Sequence, residues 1–148
     1  MTYKKIALFL CLFGCLSVFS QNESTDIVHG FFNNFEEKGA TIALDELYGT
    51  NEWISRSSDA ISKVKTQLEG LNEDFVGKYY GYELILEKKL SDSYILMSYL
   101  VKYDRQPIRF TFQFYKPNDT WRIQSFSFDG DLDEEIEEAA KLYRYKLD

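Results

Sequence analysis

The chain is poor in the residues that carry most covalent and metal chemistry. Its 148 residues include two cysteines and one histidine. Both cysteines, Cys11 and Cys15, lie within the first twenty residues, so a chain cut after Ser20 has no thiol. That excludes disulfide staples, thiolate nucleophiles and sulfur-ligated zinc, and leaves stability to an ordinary core. His29 alone cannot complete the usual histidine metal sets. A Ser-His-Asp arrangement would need an activated serine beside it, and no Gly-x-Ser-x-Gly turn occurs. His29 is therefore read as a helix-edge residue, with a general base as the sharper alternative. Glycine-rich phosphate loops are missing too: Gly77-Lys78-Tyr79-Tyr80-Gly81 lacks the Gly-Lys-Ser/Thr ending and enters a strand rather than a helix. Asp129-Gly130-Asp131-Leu132-Asp133 has the alternating carboxylates of a calcium loop. However, Glu134 stands where that loop needs glycine, and Ala140 where it needs a bidentate glutamate. No catalytic residue, metal site or cofactor is assigned.

Positive charge is also scarce, with 17 Lys and Arg against 24 Asp and Glu and a net charge of −7. Such a surface repels nucleic acid and anionic head groups and draws cationic partners over distance. Long apolar runs are few. The longest, Ile6 to Phe19, follows Lys4 and Lys5 and precedes Gln21-Asn22-Glu23-Ser24. A basic start, an apolar stretch and small side chains at Val18 and Ser20 make a secretory signal. The run is shorter than the ~20 residues of a spanning helix, so no transmembrane span is expected. Residues 1–20 are read as a signal peptide and 21–148 as one exported domain, periplasmic or secreted. Without Lys4 and Lys5 the balance is 15 basic against 24 acidic residues, about −9. Leu12-Phe13-Gly14-Cys15 loosely resembles a lipobox. Bulky Phe13 and the apolar Leu16-Ser17-Val18-Phe19 that follows favour soluble export over lipid anchoring at Cys15.

What the chain has in abundance is aromatic side chains, 12 Phe, 11 Tyr and 2 Trp. The first half carries helical spacing. Ser24 or Thr25 is placed to cap a helix whose Ile27, Val28, Phe31, Phe32 and Phe35 share a face, with Gly39 to stop it. Thr41 opens a shorter segment, with Ile42, Leu44, Leu47 and Tyr48, ended by Gly49. Ser57 or Ser58 can cap a third helix bearing Ile61, Val64, Leu68 and Leu71. From Tyr79 to Asp129 the period changes. Turn clusters at Ser91-Asp92-Ser93, Asp104-Arg105-Gln106-Pro107 and Lys116-Pro117-Asn118-Asp119 divide four strand-like runs. Connections this short require antiparallel neighbours, hence a meander.

The third run is the clearest, with Ile108, Phe110, Phe112 and Phe114 on one face and Arg109, Thr111, Gln113 and Tyr115 on the other. The first places Tyr80, Tyr82, Leu84 and Leu86 together. In the fourth, Trp121 and Ile123 lie on one parity and Phe126 and Phe128 on the other, which predicts a bulge. The second sheet face is only partly polar, so a cover is expected, and a second copy of the chain is the economical one. Arg109 on that face is read as a solvent or interface arginine. A final acidic helix, with Leu132, Ile136, Ala139 and Tyr143 as a narrow apolar face, is expected to dock at the domain edge.

Helices first, then a meander closing on a turn followed by Trp121-Arg122-Ile123, resembles the NTF2-like superfamily over roughly Asp26 to Asp129. The resemblance implies an α+β cone in which three N-terminal helices pack into a curved antiparallel sheet; the acidic last helix departs from the minimal pattern. It is similar to the small exported members of unknown function, and the superfamily also hosts isomerases and dehydratases. By this analogy the cone holds a small apolar or amphipathic ligand, and Trp53, Tyr80, Tyr82, Phe110, Phe112 and Trp121 are the pocket candidates. The competing reading makes these rings core. The functional expectation is a non-catalytic domain that binds a small apolar ligand or a partner protein, as a homodimer through the sheet face. Two alternatives are an isomerase- or dehydratase-type enzyme and an envelope assembly protein docking through its sheet. An enzyme requires a buried carboxylate beside a phenol or imidazole, for which Asp45, Glu46 or Glu83 with Tyr48 or Tyr82 are the available partners.

Overall fold

The paired aromatic residues near the start of the chain determine how its helices meet the sheet. In a computed structural model, which describes residues 23–145, Phe31 and Phe32 lie on α1 (Glu23–Lys38), and both are buried. The expected leader over 1–20 and the lipidation question at Cys15 lie outside the described residues. Ser24 sits inside α1 and is buried, so it does not cap the helix as the sequence reading expected. Gly39, at φ 87°, breaks the helix and lets α2 (Ala40–Gly49) fold back beside α1. Two single-turn helices, α3 (Glu52–Ser55) and α5 (Glu73–Val76), flank α4 (Ser58–Glu69). Among the described residues, five helical segments thus precede the sheet where three were expected. The two extra turns are capped by Asn51 and Asn72, whose side chains accept from the backbone N–H of Trp53 and Phe75.

The sheet is the expected antiparallel meander, with β1 (Tyr79–Ser91), β2 (Tyr94–Tyr103), β3 (Ile108–Tyr115) and β4 (Arg122–Asp129) in spatial order β1-β2-β3-β4. Its first face packs on α1 and α2. Ile95, Met97, Tyr99 and Val101 of β2 are buried there with Ile108, Phe110, Phe112 and Phe114 of β3. The parity change in β4 is a bulge, because Gln113 pairs with Ser125 but Phe114 with Ile123. That extra residue lets Ile123 and Phe126 both turn inward.

β1 departs from the expected single face. Register shifts lie between Tyr79 and Tyr82 and between Leu84 and Leu86. Tyr82 and Leu84 therefore pair with the inward Val101 and Tyr99, while Leu86 pairs with Ser98 on the opposite face. Gly81, at φ 97°, takes the backbone conformation that the first of these irregularities requires.

α6 (Leu132–Tyr145) begins with Asp133, Glu134 and Glu135 in its first turn, where carboxylates suit the helix dipole. It lies over the second face of the sheet, and an ion pair between Glu135 and Arg109 of β3 ties it there. No helix among the described residues is long and apolar enough to cross a membrane.

Candidate functional site

The helix-side face is filled by rings. Phe31 lies 5.2 Å from Phe112 and 5.4 Å from Phe126, centroid to centroid, and Phe32 stacks on Tyr82 at 3.7 Å. Phe110 closes the cluster at 5.5 Å from Phe126. Edge-to-face and offset contacts of this kind each add about 0.5–1.5 kcal/mol beyond area burial.

The six ring candidates divide accordingly. Phe110, Phe112 and Tyr82 meet around Phe32 as packed core. Trp121 is buried at the turn before β4, with the Lys116 ammonium 5.0 Å from its ring centre. Trp53 is 60% exposed beneath the Arg56 guanidinium, and Tyr80 is 56% exposed beside Lys78. The six do not converge on one mouth.

The acid–base partners are likewise apart. Asp45 pairs with Lys65 and Glu83 with Lys102, while Glu46 accepts from Asn34, and all three carboxylates are exposed. Burial raises the phenol pKa of Tyr48, and it also raises that of Tyr82, with Glu36 adding to the shift. His29 is exposed, its ring 6.3 Å from that of Tyr82. The buried polar side chains among the described residues are Ser24, Asn34, Asn51 and Ser98, and none is a carboxylate. No cluster of potential metal ligands occurs among those residues.

The second face is built differently. Pairing across all four strands places Glu83, Leu100, Arg109 and Asp129 in one row. The next row is Leu86, Ser98, Thr111 and Ser127. Arg109 anchors the first row. Its Nη2 and Nε donate to the two carboxylate oxygens of Asp129 at 2.9 and 3.3 Å, and its Nη1 donates to Glu135 on α6. The bond to Glu135, helped by Asp129 and opposed by burial, raises the guanidinium pKa further. Arg109, expected at solvent or at an interface, is instead part-buried and paired with two carboxylates of its own chain, between sheet and helix.

On either side of this clasp the helix stands off the sheet. One cleft, of about 470 Å³, is lined by Leu86, Leu96, Ser98, Arg109, Thr111 and three glutamates, Glu134, Glu135 and Glu138. The other, about 340 Å³ and almost wholly apolar, is lined by Ile85, Leu100, Leu132, Ile136 and Ala139. Glu135 borders both, and its ion pair with Arg109 divides the groove under α6 into an acidic-rimmed end and an apolar end. Its outer edge remains apolar: Ile136 is 69% exposed, and Ile85 and Leu86 of β1, which line the two clefts, are exposed as well.

Ser98 and the three glutamates of this groove were not singled out from sequence. A signal was there for Ser98, which is the one small hydroxyl in the apolar run of β2 and shares parity with Leu96 and Leu100. No protein family, curated protein or solved structure matches the chain.

Proposed function

We propose that this chain is an exported, non-catalytic NTF2-like domain that binds an amphipathic ligand in the groove between α6 and the second sheet face. The cone face expected to hold the ligand is occupied by its own rings, Phe31, Phe32, Phe110, Phe112 and Phe126. One observation carries the reading: among the described residues, two clefts with apolar walls lie under α6, and in one of them Leu100, Leu132, Ile136 and Ala139 face open space. Concave, mainly apolar surface with a few placed polar groups is what binding sites share. An amphipathic ligand suits it because the two ends of the groove differ in polarity.

The test uses octyl glucoside, an uncharged amphiphile, below its micelle concentration, with methyl and amide NMR as the readout. Shift changes at Ile85, Leu100, Ile136 and Ala139 are expected, abolished by Ile136→Asp. Changes confined to Val28, Leu44 and Ile108, or none, would sink the reading.

Self-association through the sheet is a second reading, favoured by Leu84, Leu86 and Leu90 exposed on the edge strand β1. Sedimentation of the protein across the micromolar range should show a concentration-dependent dimer that Leu86→Lys weakens. A monomer throughout removes it.

A further inference from the structure

The acidic end of the groove holds a polar group that the other described residues leave unused. Ser98 is 3% exposed, and its Oγ has no hydrogen-bond partner among the described residues. It lies on the floor of the 470 Å³ cleft, between Leu86 on one neighbouring strand and Thr111 on the other. A buried hydroxyl without a partner costs about 1–3 kcal/mol, so such groups usually have a role. The cation that lines the same cleft, Arg109, is already engaged by Asp129 and Glu135. Glu134 and Glu138 complete the rim, and Glu138 also pairs with Lys141 one turn on, at 2.7 Å. The lining therefore carries more carboxylate than cation, above an apolar wall of Leu86 and Leu96 and a hydroxyl able to accept a hydrogen bond.

We propose that this groove recognises a cationic amphipathic peptide segment of a partner protein, a Lys or Arg entering beside Ser98 and flanking apolar side chains lying along α6. The inference rests on the binding reading above and adds the charge and class of the ligand. Three observations choose the occupant. Carboxylates at the rim complement a cation. The orphan Ser98 hydroxyl accepts a hydrogen bond from an ammonium or guanidinium, both of which are donors only. Both clefts are open to solvent rather than enclosed, which suits a chain segment lying on the surface; small-molecule sites enclose most of their ligand.

The probes are three capped hexapeptides in which Leu alternates with Lys, Gln or Glu, together with octylamine as a small amine. Each is titrated into the protein and followed by NMR at 20 and 300 mM salt. The Leu/Lys peptide should bind most tightly, shift Leu86, Leu96 and Ser98, and weaken at the higher salt. Glu134→Gln/Glu138→Gln should reduce its affinity about fivefold or more, whereas Glu36→Gln/Glu37→Gln on α1, removing the same charge from exposed positions there, should leave it unchanged. Ser98→Ala breaks no bond within the described residues; it should keep or raise stability while weakening the peptide several-fold.

Equal binding of the Leu/Gln peptide in the groove would overturn the cationic assignment and leave the amphipathic-groove reading standing. Octylamine binding as tightly as the peptide would overturn the peptide assignment in favour of a small amine. Loss of affinity in the Glu36/Glu37 variant equal to that in the Glu134/Glu138 variant would reduce the effect to overall charge and overturn the site. Failure of all four probes overturns the proposal, and the octyl glucoside result then decides whether the groove reading falls with it.

Discussion

Arg109 grips Asp129 with two of its nitrogens, at 2.9 and 3.3 Å, while a third reaches Glu135 on α6. This guanidinium joins β3, β4 and the last helix, and the side chains involved are each less than a third exposed. Charge-assisted, forked contacts of this kind are stronger than solvated surface pairs. Arg109→Ala would leave two carboxylates facing each other without their shared cation. The expected outcome is faster amide exchange along residues 132–145, by about tenfold, with a smaller loss of global stability of about 1–2 kcal/mol. Arg109→Lys should restore only part of the protection, because an ammonium cannot reproduce the fork. Unchanged exchange in α6 would show that the helix is held by other contacts.

A second connection runs between distant parts of the chain. Asn51 is buried; its Nδ2 donates to the Ile123 carbonyl at 2.7 Å, and its Oδ1 accepts from the Trp53 N–H at 3.1 Å. Beside it, Thr50 Oγ1 accepts from the Ile123 N–H at 3.0 Å. Ile123 sits next to the β4 bulge, where ladder pairing is interrupted, so these side chains serve backbone groups there. Asn51→Ala should cost about 2–3 kcal/mol by urea denaturation, from a lost cap and a stranded carbonyl. Asn51→Asp keeps the cap acceptor and loses the donor, and should recover less than half of that loss. Equal stability of Asn51→Ala and the parent would remove the connection from the account.

Much of this architecture was legible in the sequence, and what was missed has identifiable causes. Ile108, Phe110, Phe112 and Phe114 alternate without interruption, and all four are buried on one face. Gly39 and Gly49 sit where α1 gives way to α2 and where α2 ends. β1 was misread because an extra residue near Ile85 swaps the faces of Leu86 to Lys89, and simple alternation cannot register an insertion. The pocket candidates were misplaced for a related reason. Aromatic residues fill a core and line a cavity with the same spacing, so only packing distinguishes Phe112 among its ring neighbours from Trp53 at the surface. The groove was legible in part: Leu132, Ile136 and Ala139 were read as one helix face, and the second sheet face as needing a cover. Ser98 acquires meaning only when α6 is laid across it.

Two glycines with the same backbone sign should respond very differently to substitution. Gly39 and Gly77 have φ of 87° and 82°, a region that L-residues with side chains rarely adopt. A Cβ at Gly39 meets open space, so Gly39→Ala should cost about 1–3 kcal/mol, the strain alone of an extended backbone with positive φ. At Gly77 the same atom would stand 2.7 Å from the Asp104 Cβ and 3.1 Å from the Arg105 nitrogen, where Arg105 donates to the Val76 carbonyl. Gly77→Ala should therefore lose clearly more, about 3 kcal/mol or above. Comparable denaturation midpoints for the two variants would contradict this ordering.

Tyr79 and Tyr103 pair directly across β1 and β2, with ring centres 5.8 Å apart and both hydroxyls buried without a partner among the described residues. Burial, followed by Glu36 and Tyr82, pushes the Tyr79 phenol up to about 12. Burial and then the proximity of Tyr79 raise Tyr103 as well. In the unfolded chain a phenol ionises near pH 10. Below that, both states hold the proton and stability is intact. Above it, the unfolded chain releases protons that the folded chain retains, so stability falls as pH rises from about 10 towards the folded value. Urea midpoints should therefore drop between pH 10 and 11.5, with the raised Tyr48, Tyr82 and Tyr99 phenols adding to the effect, and Tyr103→Phe should flatten the drop in part by removing one of the raised phenols. At pH 7 the same substitution should be neutral or stabilising by up to about 1 kcal/mol, because the hydroxyl it deletes makes no bond among the described residues. A destabilised variant at pH 7 would mean that the Tyr103 hydroxyl has a partner in solution, and an unaltered alkaline slope would assign the pH dependence to other groups.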